Sequence, residues 1–167
     1  MHEAVRTAVE QQVTNEFHAA HTYLSMAGWF EAENLPGFAS WMRHQSEEEN
    51  EHALKLFDHL VDRGVSPKLG AIEAPPHDFD GAVAVFEAAF AHEQKVTGQI
   101  HSLYELAIEH RDYFAQVLLQ WFISEQLEEE KTTGGILERL RMVEGSRAAL
   151  LILDSELGAR TEAGHEH

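Results

Sequence analysis

Between two long stretches of helical periodicity lies "VSPKLGAIEAPPHDFD", residues 65–80, which has no regular period and holds three of the four prolines in the chain. Proline lacks the amide hydrogen that a helix interior or a central strand needs, so this stretch is a loop. Its length constrains the topology. Sixteen residues at about 3.3 Å each reach roughly 50 Å, whereas a helix of about 26 residues spans roughly 40 Å. The loop can return the chain along a whole helix, so the helices on either side of it can run parallel. Loops this long are uncommon in compact domains without a topological or functional reason.

The periodic stretches predict long helices. Val9, Val13, Glu16, Ala20, Tyr23, Ala27 and Phe30 share one face of a helix over residues 3–33, which ends at the turn residues "NLPG". Phe38, Trp41, Gln45, Glu49, His52, Leu56 and Leu60 define a second helix over 38–63, with Gly64 as its C-terminal cap. A third carries Val83, Phe86, Phe90, Glu93, Val96, Ile100, Leu103 and Ala107. After the short link "HRD" a fourth runs over 113–143 through Leu118, Phe122, Gln126, Glu129, Thr133 and Ile136, and a fifth, shorter one covers 146–157. Short links favour antiparallel neighbours. The expectation is an all-α fold: an antiparallel four-helix bundle with one long crossover between the second and third helices, plus a short fifth helix. Residues 1–160 would form one domain and 161–167 a flexible tail.

Composition narrows the chemistry. With no cysteine among 167 residues, disulfides, thiolate metal sites and thiol nucleophiles are excluded. A formal charge of -17 argues against a nucleic-acid partner and suits cations. The opening "MHEAVRTAVEQQ" has charges every few residues, so it reads as neither signal peptide nor membrane span, and a cytoplasmic location is expected.

Each long helix places one carboxylate on its apolar face: Glu16, Glu49, Glu93 and Glu129. An ionised carboxylate among Phe, Trp and Leu costs several kcal/mol unless it is paired or binds a metal. A single such Glu reads equally well as a solvated boundary residue. Four in register, with His52 one turn after Glu49, read as a dinuclear metal site containing an E-x-x-H pair. Four ionised carboxylates balance two divalent ions, with His52 neutral. Oxygen-rich ligands with one imidazole suit ferrous or manganous ions.

The runs "TNEFHAAHTYLSM", "SEEENEHALKLFDHL", "HEQKVT" and "QWFISEQLEEEK" resemble the ferritin family, specifically the non-haem bacterial type, over nearly the whole chain. That resemblance implies a ferroxidase that oxidises two ferrous ions with O2 or H2O2 and stores ferric mineral inside a shell of identical chains, a cage of twenty-four. It implies Glu16, Glu49 and His52 as ligands of the first iron and Glu49, Glu93 and Glu129 as ligands of the second, with Glu49 bridging. It also implies a third iron position at Glu48, Glu125 and Glu128, whose reading from position alone is a solvated acidic face. Where bacterioferritins and many di-iron oxidases carry a second E-x-x-H, this chain reads "QLEE", and Asn50 stands where haem-binding relatives have methionine. No haem is expected.

Tyr23 lies two turns after Glu16, placed to hydrogen-bond a ligand or donate an electron, although without the resemblance core packing is the preferred reading. Trp121 is read first as core packing and second as a neighbour of the site. Gln126 resembles the family residue that hydrogen-bonds bound water or oxygen. His18 and His21 are read as surface residues, and His165 and His167 as tail. A di-iron oxygenase or peroxidase, and a non-catalytic cation-binding bundle, are the alternatives. The apolar "AALLILDSEL" of the fifth helix suits either a cap on its own bundle or, by the resemblance, the lining of a symmetry axis.

Overall fold

The structure, a computed structural model, describes the backbone of residues 1–163 and the side chains of residues 1–160. It contains α1 (Glu3–Ala32), α2 (Pro36–Asp62), α3 (Ala82–Glu109), α4 (Tyr113–Met142) and α5 (Arg147–Ala163), and no strand among the described residues. Local chemistry sets the boundaries. His2 Nδ1 accepts from the Ala4 amide at 3.1 Å and starts α1. Asn34, at φ 59°, turns the chain after α1, and Pro36 opens α2 at a position where a missing amide hydrogen costs nothing. That is why α2 begins two residues before the expected Phe38. At its other end Gly64, at φ 78°, takes the left-handed conformation that lets the Val65 amide reach the Leu60 carbonyl at 3.0 Å.

Two apolar clusters show how the helices run. One joins Phe30 at the end of α1, Phe38 at the start of α2, Phe86 at the start of α3 and Leu140 at the end of α4. The other joins Val9, Leu60, Ile100 and Leu119, from the opposite ends of the same four helices. Hence α2 and α3 run parallel, each antiparallel to its sequence neighbour, as the loop length permits. The crossover is fastened along α1 rather than left free. Lys68 N donates to Glu10 Oε1 at 3.1 Å, Gly70 N to Thr14 Oγ1 at 3.2 Å, and Ser25 Oγ to the Pro76 carbonyl at 2.7 Å.

Beyond the expected Leu157, α5 continues to Ala163. Of the tail expected over 161–167, residues 164–167, with His165 and His167, lie outside the described residues. Leu153 and Leu157 of α5 pack into the first cluster, while Leu151 and Ile152 face outward. Buried Asp154 accepts from the Phe38 amide at 2.8 Å, satisfying a free donor at the start of α2. Among the described residues, no helix is long and apolar enough to cross a membrane.

Candidate metal centre

The two apolar clusters are separated by a polar layer. Glu16 from α1, Glu49 and His52 from α2, Glu93 from α3 and Glu129 from α4 are all buried there. Helical spacing explains the convergence, because each acid belongs to the same apolar stripe as the Phe, Leu and Val residues above and below it. Glu16, Glu49 and His52 each offer a ligand atom, and these atoms lie within 4.8 Å of one another. His52 Nδ1 is 3.1 Å from Glu49 Oε2. Glu93 and Glu129 close the layer from the other helix pair. Gln126 Nε2 donates to Glu93 Oε2 at 3.1 Å, Tyr23 donates its hydroxyl hydrogen to Glu93 Oε1, and Gln45 Nε2 donates to Glu129 Oε2 at 2.8 Å.

Positive charge is scarce in this layer. Among the described residues, the one ion pair made by these four acids is Glu49 with His52, and no Lys or Arg pairs with any of them. Glu16 Oε2 is buried with no hydrogen-bond partner. The electrostatics follow from this. Burial pushes the Glu49 carboxyl well above the usual carboxylate range, and the neighbouring Glu16 and Glu93 add to the shift. Burial also raises Glu93, against the lowering effect of the hydrogen bonds from Tyr23 and Gln126. Glu129 is pushed up to about 8 by burial and then by the charge of Glu93. Burial, followed by the charges of Glu93 and Glu49, raises the Tyr23 phenol well above its ordinary value. Without a cation this layer keeps protons at neutral pH. An orphaned carboxylate oxygen, crowded acids and one imidazole make a donor set that fits hard or borderline divalent ions.

The other sequence candidates are distributed around this layer. Glu48 and Glu125 line one hollow of about 450 Å³ with His52, Lys55, Asp58 and Trp121, and Glu48 Oε1 lies 3.1 Å from His44 Nε2. Burial raises the Glu48 carboxyl, against the lowering effect of His44 and His52. Glu128 is exposed and lines a separate depression with Lys131 and Arg139, so the structure does not bring it against Glu48 and Glu125. Trp121 packs edge-on against the His52 ring at 5.4 Å, with Lys55 Nζ 3.8 Å from its own ring centre. His21 is exposed as expected, whereas His18 is half-buried against His92, with ring centres 6.1 Å apart. Gln126 turns its amide toward Glu93 and Thr97.

Sequence reading assigned no role to Gln12, which donates to Glu16 Oε1 at 2.8 Å, or to Gln45. Gln12 stood one helical turn before Glu16 on the same face, a spacing that marks it as a hydrogen-bonding neighbour, whereas Gln45 stood one turn before Glu49 but meets Glu129 across the bundle, which no local spacing shows.

This arrangement is a ferritin-like helix bundle, with two antiparallel helix pairs joined by a long crossover and a short helix closing one end. The chain belongs to the ferritin family, since a profile of the Ferritin-like domain matches residues 6–143. It is 34% identical over 154 residues to the bacterial non-heme ferritin of Staphylococcus aureus, covering 92% of this chain and 93% of that one. To the bacterial non-heme ferritin of Bacteroides fragilis it is 35% identical over 158 residues, covering 95% and 98%. Among solved structures, an open pore ferritin from the archaeon Archaeoglobus fulgidus superposes with a TM-score of 0.94 at 42% identity, covering 95% of this chain and 98% of that one.

Proposed function

We propose that this protein stores and detoxifies iron, oxidising ferrous ions at the buried carboxylate layer and holding the ferric product as mineral inside a shell of identical chains. The observation that carries the reading is four buried acids, one from each long helix, with a histidine and no Lys or Arg partner. Two ferrous ions are the substrate that balances this charge. Glu16, Glu49 and His52 hold the first and Glu49, Glu93 and Glu129 the second, with Glu49 shared. Two Fe2+, one O2 and two protons give two Fe3+ and one H2O2; with H2O2 as oxidant the product is two waters. Tyr23 and Gln126 orient Glu93, and protons displaced from Glu49, Glu93 and Glu129 leave as the ions bind.

Glu48 and Glu125, in the hollow beside His52, form the core of a third iron position, with Glu128 one turn further along α4. The exposed Leu151 and Ile152 of α5 support contact with further copies of the chain; the closed shell of twenty-four chains and the cytoplasmic location rest on the membership of the ferritin family, with residues 1–160 as the working domain.

Stopped-flow mixing with ferrous iron and O2 tests the reading. The wild type consumes two Fe2+ per chain in a fast phase, and Glu49→Ala lacks that phase. Sizing after aerobic loading recovers iron and protein together in a fraction of hundreds of kDa. A stable 18.9 kDa monomer, or Fe2+ binding without oxidation by either O2 or H2O2, overturns it.

A further inference from the structure

Three acids of the layer each take a hydrogen bond from a neutral carboxamide: Glu16 from Gln12, Glu129 from Gln45 and Glu93 from Gln126. A carboxamide fixes a carboxylate without cancelling its charge, so the whole anionic charge remains for an incoming ion. An Arg or Lys in the same place would compete with that ion.

Of the three, Gln12 is held at both ends of its amide. Its side chain is buried, and its Nε2 lies 2.8 Å from Glu16 Oε1 and 3.4 Å from Gln99 Oε1 on α3. Its Oε1 accepts from Asn15 Nδ2 at 3.1 Å, and Asn15 Oδ1 accepts from Gln11 Nε2 at 3.0 Å. Flipping the Gln12 amide would set its oxygen against the Glu16 carboxylate and its amino group against that of Asn15. An ionised carboxylate can only accept, so the Glu16 end fixes the Gln12 orientation, and the Asn15 amino group holds the Gln12 oxygen at the other end. The two Glu16 oxygens are thereby made unequal. Oε1 is tied to Gln12, and Oε2 is the buried atom with no partner.

We propose that Gln12, locked by Asn15, is a positioning residue that presents Glu16 Oε2 as the ligand for the first divalent ion. The proposal rests on the function proposed above and specifies how one ion position is prepared. It also separates two jobs along α1, with Tyr23 acting on Glu93 and Gln12 on Glu16.

Titration with Co2+, followed by visible absorption and calorimetry, tests it independently of turnover. The wild type takes up two Co2+ per chain at the layer; if it takes up none, the functional reading itself fails, whatever the variants do. In Gln12→Leu, one Co2+ per chain binds about 10- to 100-fold more weakly, the usual effect of removing a partner that orients a ligand, and the other changes less. KM for Fe2+ rises while kcat is largely kept. Asn15→Leu, which leaves Glu16 and Gln12 in place but removes the donor that holds the Gln12 oxygen, moves the same Co2+ step in the same direction by a smaller factor, and carries the test if Gln12→Leu does not fold. Wild-type affinity for both ions in these variants, or equal weakening of both, overturns the positioning role.

Discussion

The Tyr23 hydroxyl on α1 donates to Glu93 Oε1 on α3, linking the two helix pairs at the depth of the carboxylate layer. Both residues are buried, so Tyr23→Phe leaves a carboxylate oxygen without its donor, at a cost on the order of 1–3 kcal/mol. Melting of the chelator-treated protein should fall accordingly. With two Co2+ bound the gap should narrow, because the ions then satisfy Glu93. An equal drop in both states would show that the ring packs but the hydroxyl plays no part.

Stability of the chelator-treated protein should fall as pH rises. The Glu129 carboxyl moves from 4.5 to about 8 on folding, chiefly through burial, and Glu49 and Glu93 shift in the same direction. Between those values the folded chain holds protons that the unfolded chain has lost. The loss therefore begins above about pH 4.5 and, for Glu129, is complete above about pH 8. Each such group contributes at most about 1.4 kcal/mol per pH unit. Melting curves across this window check the sign; a rise with pH would contradict it. Loading with divalent ions displaces these protons and should remove most of the slope.

Glu49→Gln separates charge from hydrogen bonding. Removing a buried carboxylate that has no Lys or Arg partner, only the His52 imidazole, should leave the chelator-treated fold melting no lower than the wild type, and relief on the order of 1 kcal/mol is expected. With two ions bound the order reverses, because ligands that bind only the native state stabilise it. A sharp loss of stability without metal, with two-ion binding intact, would make Glu49 a structural hydrogen-bonding residue.

Gly37→Ala tests the docking of α5. A Cβ at Gly37 would lie 1.7 Å from the Asp154 carbonyl oxygen, so backbone must move. Overpacking of this kind costs about 1–3 kcal/mol. Chemical denaturation should show that loss, and sizing should show weakened assembly. Unchanged stability would mean that α5 yields freely at this contact.

Glu128→Ala should leave the first fast oxidation of ferrous ions in place and alter later turnover, because Glu128 is exposed and lies off the buried layer. Disappearance of the first phase in rapid mixing would move Glu128 into the primary site.

The sequence by itself determined the helices and the register of acids, which follow from periodicity, and its long loop permitted the parallel run of α2 and α3 that the packing then selected. A 3.6-residue repeat places Glu16 with Val13 and Tyr23, and Glu49 with Gln45 and His52, whatever the rest of the chain does. Tertiary structure alone decided which groups meet across helices. Gln45 reaches Glu129 and Tyr23 reaches Glu93 only because particular faces pack at a particular depth. It also fixed the crossover to α1 through Glu10 and Thr14 and seated Asp154 on the Phe38 amide. These contacts join residues dozens of positions apart, and no local period records them. Glu128 makes the same point from the other side. Its place three residues after Glu125 sets it one turn along α4, but packing turned Glu125 toward the hollow beside His52 and left Glu128 facing solvent.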